Sequence, residues 1–460
     1  TRTTTDLPPP PSGGGGGVGN PSAELVNVSL KTLRDTCELA QKSVGNLLVM
    51  RKDVHTTLTI EELKEMWNVT FEFLTAMERI SGRSCYALRS TMLAQAKAFL
   101  EHKQEVQMAS LVATLDSEKW TQADVSPQRQ QAIDRLSSGQ AFLPGTLVTP
   151  TNKPNDHNNN TNNTNDNPVA ATAAAGEVKR PSETEGRAVT TGRTDRGGRS
   201  RRELNDASVD GSSFKVVWSV LLLIEMVTAH LAIAAHFPML ATDVLQRVVE
   251  LVRLFNTRAT QLVLLAGAIH STARLTKITA KHLALTCQCL GLVMALIPHV
   301  RASLSAQLPP KHHLLLSDMD RVKQDLMEHH GRIISKFVSI VAEIVDSLAP
   351  SIASTDWETG GNGNCQFITD SIKNMFTMHK VLSAQLPPEQ LQEIFSRIFE
   401  LLNQKVPEYF ASVTPSSLAG EQRVVDDIQY LTTSLDRLKG VSAANLNLDD
   451  HFRARFPNAR

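Results

Sequence analysis

Aromatic side chains are scarce in this sequence, at 5% of 460 residues with only three tyrosines, and stretches of alternating Val or Thr are few. Strands draw on β-branched and aromatic residues that fit a pleated, half-buried surface, so this shortage removes most of the support for a β architecture. Net charge is absent as well. Lys plus Arg equal Asp plus Glu at 47 each, which leaves no whole-chain field to gather a polyanion. The longest apolar run, Val216 to Ile224, stops at Glu225 and soon meets His230 and His236, short of the roughly 20 residues that a bilayer requires. Cysteine is limited to Cys37, Cys85, Cys287, Cys289 and Cys365. An odd number spread over a large chain suits a reducing compartment and a cytosolic protein better than a disulfide framework.

Catalytic signatures are also missing. There is no Gly-x-Ser-x-Gly, no His-Glu-x-x-His and no phosphate-binding loop of the Walker kind, and Gly360 to Asn364 reads only as a turn. Cys287 and Cys289 stand two apart on an expected helix, pointing about 200° apart around its axis. No second Cys or His pair at a zinc-like spacing accompanies them, so they read as buried thiols. The pairs His312-His313 and His329-His330 read as helix-surface histidines, since adjacent helical residues face different ways. Asp426-Asp427 lacks the third aspartate that a magnesium site of the isoprenoid-synthase kind would need, and Asp449-Asp450 falls in a polar tail. No residue is therefore given a catalytic, cofactor-binding or metal-ligating role.

What the sequence does hold is helical periodicity. Leu245, Val248, Val252, Phe255, Ala259, Leu262, Ala266 and Ile269 recur at alternating steps of three and four, with Asp243, Arg247, Glu250, Arg253 and Arg258 on the other faces. Such a helix must lay an apolar seam against neighbouring helices, and nothing on that seam can do chemistry. Similar patterns predict helices over residues 23–50, 59–80 and 84–115, with a short element near 127–136. Seven more follow over 214–235, 242–273, 279–304, 317–348, 365–386, 389–404 and 423–438. Thr59 with Glu62 forms a capping box, Gly82 suits a left-handed helix end, Ser317 with Asp320 offers a cap, Pro388 suits a helix start, and Lys439-Gly440 reads as an end.

The class expected is all-α, as elongated stacked helical bundles. Residues 1–22, rich in Pro and Gly, read as a disordered lead, 23–142 as a first bundle, 143–213 as a disordered insert, 214–440 as a C-terminal bundle domain and 441–460 as a polar tail. Because the chain opens on Thr1 and this tract, it reads as part of something longer. The insert carries the Asn-rich run around Asn158 to Asn165 and an Arg-Gly segment from Arg187 to Arg202. Guanidinium groups engage phosphate and stack on bases, but this segment lacks interleaved aromatics and is diluted by Glu183, Glu185, Asp195 and Glu203. It reads as a solvated linker, with no nucleic acid expected.

Several blocks carry a resemblance. Leu115 to Val125 (Leu-Asp-Ser-Glu-Lys-Trp-Thr-Gln-Ala-Asp-Val), Leu254 to Arg258, Gln261 to Leu264, Ala266 to Ala268 and Thr276 to Leu285 follow one another in order. Cys85 to Arg89, Val220 to Ile224 and Leu386 to Gln390 fall in the expected order too. Together they resemble the vacuolar protein sorting-associated protein 54 family over most of 25–440. That resemblance implies a non-enzymatic subunit of the Golgi-associated retrograde protein complex, a tether capturing endosome-derived vesicles at the trans-Golgi network. It implies the carboxy-terminal half of that subunit, with the amino-terminal coiled-coil region that assembles the complex lying outside the chain. Implied partners are the other subunits, SNARE proteins, and endosomal membrane proteins or small GTPases, with peripheral membrane association through them and no cofactors. The alternatives are a general helical adaptor, another tether subunit of the exocyst kind, or an RNA binder acting through the Arg-Gly segment.

Overall fold

The computed structural model describes residues 21–138, 204–265, 272, 275, 277–358 and 363–459. The readings of Thr1 to Asn20, of the Asn-rich run and of the Arg-Gly segment lie outside the described residues, as do Ala266 and Ile269.

The described chain is all-α apart from one short hairpin. Before the insert come α1 (Pro21–Met50), α2 (Lys52–Thr56), α3 (Ile60–Ser81), α4 (Tyr86–Asp116) and α5 (Pro127–Ser138). After the hairpin come α6 (Trp218–His236), α7 (Ala241–Val263), α8 (Ala280–Gln307) and α9 (Ser317–Leu348). The chain ends with α10 (Pro350–Ala353), α11 (Gln366–Ser383), α12 (Pro388–Tyr409), α13 (Leu418–Asp436) and α14 (Leu448–Arg455). Local signals set many of these limits. Thr59 Oγ1 accepts the Glu62 N–H at 3.2 Å and the Glu62 carboxylate accepts the Thr59 N–H at 2.8 Å, starting α3. Gly82 ends it at φ 67°, where any Cβ would be strained. Pro388 opens α12 as expected. The cap expected at Ser317 does not form, because a 3-10 turn over Pro310–Leu316 runs straight into α9 and leaves Ser317 inside it. Ser417 was overlooked: its hydroxyl accepts the Gly420 N–H at 3.0 Å and starts α13 five residues before the apolar pattern becomes evident.

The seam of α7 packs as its spacing predicts, with Leu245, Val248, Val252, Phe255, Ala259 and Leu262 all buried. The helix ends at Val263, short of the expected Ala273. Helices α6 and α8 are long and apolar enough, by length and composition, to cross a bilayer, which a reading of continuous runs passed over. Most of each is buried, and a helix apolar on every side is what the centre of a helical core requires.

The main hydrophobic core is continuous from Leu63 to Phe456, so residues 23–142 and 214–440 contribute to one packed core. α4 runs parallel to α7: Lys97 pairs with Asp243 at 3.3 Å, Glu101 with Arg247, and Asp116 with Arg258 at 2.6 Å. Residues 441–460 were expected as a polar tail, but α14 buries Leu448 and Phe452, and Phe452 meets Phe410 edge to face at 5.4 Å. Two apolar residues four apart suffice to dock one helical turn, and eight residues surrounded by charge hide that signal. The C-terminal end of the expected insert is ordered too. Ala207–Val209 (β1) pairs antiparallel with Ser212–Phe214 (β2) around Asp210 and Gly211 at φ 51° and 79°. Asp-Gly is the dipeptide that accommodates two positive φ angles in a two-residue hairpin turn, and it stands in the sequence to be read.

Candidate functional site

The residues with chemical potential are scattered and occupied by structure. Cys287 and Cys289 are buried, and burial pushes both thiols well above their ordinary range. Asp427 is buried and accepts the Cys365 N–H at 2.9 Å, while Asp449 accepts the Thr432 hydroxyl at 2.9 Å, so both aspartates hold the fold. His313 sits in the 3-10 turn and donates to the Leu308 carbonyl at 3.1 Å. Among the described residues no group of three or more His, Cys, Asp or Glu side chains could hold a metal ion.

His329 corrects the surface reading. It occupies the inner stripe of α9 after Met319, Val322 and Leu326 and before Ile333, and only 2% of it is exposed. It donates from Nδ1 to the Asn256 side chain on α7 at 2.7 Å. Position in the stripe, not residue type, decides its burial. Burial holds its pKa down to about 4 from 6.5, so the folded protein keeps it neutral while the unfolded chain takes a proton below pH 6.5. Its contribution to stability is therefore complete above pH 6.5 and is lost as pH falls towards 4. Denaturant titrations of wild type and His329→Gln across that window should show wild type losing up to about 3 kcal/mol more than the variant. Glu118 and Asp427, whose pKa values burial raises, change stability in the opposite sense but equally in both proteins. Parallel curves would refute the assignment.

The block Leu115 to Val125 forms the junction between the two halves of the sequence. Asp116 at the end of α4 pairs with Arg258 of α7. Glu118, buried at 8% exposure, accepts the Ser219 N–H at 3.0 Å and so caps α6 from a distant part of the chain. Trp120 is wholly buried at φ 51°. Beyond it, Ala123 N–H donates to the Val216 carbonyl at 2.8 Å and Val125 N–H to the Asn205 carbonyl at 3.1 Å, while Asp124 accepts the Asn205 N–H at 2.9 Å. Other blocks behind the resemblance act in the same manner. Arg89 and the Cys85 N–H both bind Glu78 across the α3–α4 turn, and Gln390 meets Gln288 at 3.2 Å. These residues maintain architecture, so the text that marks the family is the text that joins helices.

What remains open is apolar surface on the first helices. Among the described side chains of α1 only Cys37, Gln41 and Leu48 are buried, while Leu25, Val26, Leu30, Leu33 and Leu47 are exposed. Val69 and Ile80 of α3 are exposed as well. The first helices thus bear an exposed apolar face on a helical core.

Residues 211–343 match the sequence profile of the family described as Vps54-like protein. The chain is similar to the human vacuolar protein sorting-associated protein 54, 28% identical over 396 residues that cover 85% of this chain and 35% of the relative. It is similar to the Arabidopsis thaliana protein of that name, qualified as chloroplastic, 26% identical over 459 residues covering 94% of this chain and 44% of the relative. The fission yeast protein, from Schizosaccharomyces pombe, is 30% identical over 170 residues, 37% of this chain and 17% of that relative. Residues 211–343 thus carry the Vps54-like sequence pattern, and similarity to proteins of that name extends over most of the chain. It spans 35% of the human and 44% of the Arabidopsis relative's length. No solved structure matches it.

Proposed function

We propose that this chain is the carboxy-terminal half of a non-enzymatic subunit of the Golgi-associated retrograde protein complex, a tether for vesicles returning from endosomes to the trans-Golgi network. The observation that carries the reading is similarity to the proteins called vacuolar protein sorting-associated protein 54, spread over 85% of this chain for the human relative and 94% for the plant one. The architecture supports it physically. Tethering depends on reach and on several weak contacts acting together, which a helical scaffold with exposed apolar area supplies without any reactive residue. The partners are the other subunits of the complex, SNARE proteins, and endosomal membrane proteins or small GTPases. Membrane association is peripheral and made through those partners, on the cytoplasmic face of the trans-Golgi network and of endosome-derived vesicles.

The test is affinity purification of the full-length protein, tagged in its own cells, with mass spectrometry of stoichiometric partners. Recovery of the other retrograde-tether subunits together with Golgi fusion proteins is expected. Recovery of exocyst subunits, of ribonucleoproteins, or of no partner would overturn the proposal. Deleting Arg187 to Arg202 should leave localisation intact, whereas an RNA-dependent protein would lose it.

A further inference from the structure

The first three long helices form an incomplete bundle. α4 packs against α1 and α3, and a small core of Leu48, Leu74, Leu88 and Met92 lies between them. On the side away from α4, α1 and α3 diverge into a groove of about 600 Å³, floored by Val44, Leu48, Met66 and Phe73 and closed at one end by Val54 of α2. His55 in this groove is already bonded through Nδ1 to the Gln95 side chain at 3.1 Å.

Both walls carry a helical seam. On α1, Ala23, Val26, Leu30, Leu33, Cys37, Ala40, Val44 and Leu47 alternate steps of three and four without a break. That is a heptad core pattern, and it continues past the last buried contact of α1 into Leu33, Leu30 and Val26, which are exposed. On α3, Met66, Val69, Phe73, Ala76 and Ile80 keep the same spacing, and Val69 is 63% exposed although it lines the groove. Two apolar seams flanking one trough reproduce the surface that a four-helix bundle shows when a single helix is withdrawn.

The two rims differ in charge. Along α3 the edge beside the groove carries Glu61, Glu65 and Glu72, all exposed, with Glu65 lining the groove itself, and one heptad further on this edge ends at the exposed Arg79. Along α1 it is Ser29, Thr36 and Ser43, whose hydroxyls donate to the Leu25, Thr32 and Leu39 carbonyls one turn back and so offer no charge. A helix lying here would meet carboxylates on one side and, apart from Arg51 at the end of the groove beside α2, uncharged surface on the other.

We propose that this groove receives one amphipathic helix from another polypeptide, with apolar residues at alternating steps of three and four and a row of Lys or Arg along one edge only. The apolar stripe fills the trough and completes the bundle. The basic row faces Glu61, Glu65 and Glu72, which fixes the direction in which the helix lies and rejects helices with an acidic edge. The inference rests on geometry and charge and stands whether or not the tethering reading holds.

The experiment places a photo-crosslinking amino acid at Val69, and separately at Leu47, in the full-length protein in its own cells, then identifies the crosslinked peptide by mass spectrometry. Both positions are exposed, so folding is unaffected. The expected result is that both capture the same segment of another polypeptide, with the stripe and the one-sided basic row. Yield should fall about two- to tenfold in the Glu65→Lys/Glu72→Lys protein with its melting temperature unchanged, and Glu65→Gln/Glu72→Gln should lie between. Capture of a second copy, of another part of the same polypeptide or of an acid-edged helix would overturn the proposal. So would a yield indifferent to the charge reversal, or no crosslink at either position.

Discussion

Val252→Asp should destabilise the protein by on the order of 4 kcal/mol or more, and Leu262→Asp by a similar amount. Both side chains lie on the inner seam of α7 at 3% and 1% exposure, among the apolar faces of neighbouring helices. Val252 adjoins Leu223 and Val227 of α6, Val248 of its own helix, and Ile297 of α8 around a small apolar gap. An aspartate there would lose the packing of the removed methyl groups and place an unpartnered carboxylate where no described side chain can bond it. Since a protein of this kind is stable by only about 5–15 kcal/mol, such a loss consumes much of the total and should appear in thermal and denaturant unfolding. Arg253→Gln, one position along on the exposed face, is the control and should change stability by less than about 0.5 kcal/mol. An unchanged melting temperature in Val252→Asp or Leu262→Asp would refute the placement of the seam.

Trp120→Ala should cost about 3–5 kcal/mol, because a wholly buried indole is among the largest side chains in the core and its removal leaves a cavity. The backbone makes this prediction sharper. Trp120 sits at φ 51°, a conformation that costs residues with a Cβ about 1–2 kcal/mol but costs glycine almost nothing. Trp120→Gly should therefore be the milder of the two substitutions by about 1 kcal/mol, although glycine removes more of the side chain. Equilibrium unfolding of both variants decides the matter: a glycine variant less stable than the alanine variant would mean that the strained turn plays no part in holding the junction. Because Glu118 and Ala123 on either side of Trp120 bond to Ser219 and Val216, loss of this anchor should weaken the attachment of α4 to the start of α6 rather than either helix alone.

The apolar stripe of α7, the capping box at Thr59, the left-handed end at Gly82 and the start at Pro388 were all legible in advance, since each depends on residues within about one turn of each other. Asp210-Gly211 and Ser417 are equally local and are missed by the pattern, the first because it lies within residues 143–213 read as insert, the second because Leu418 and its neighbours carry little apolar pattern of their own. The exposed rims of α1 and α3 were written in the sequence as well, but nothing local says that they border an open groove: α1 reads as an ordinary amphipathic helix until its neighbours are seen to leave Leu30 and Leu33 uncovered.

The sequence by itself determined that this chain is helical, where most of its helices run, and which family its ordered blocks resemble. Those properties follow from periodicity, caps and residue type, which act over distances of a few residues. Only the tertiary structure decided that Glu118 caps a helix about a hundred residues away, that His329 is buried against Asn256, that α14 docks on Phe410, and that the segments before and after the insert share one core. Each of these is a contact between residues far apart in the chain, where burial and partnership are set by which surfaces meet, and a helix pattern specifies that a face must be covered without specifying what covers it.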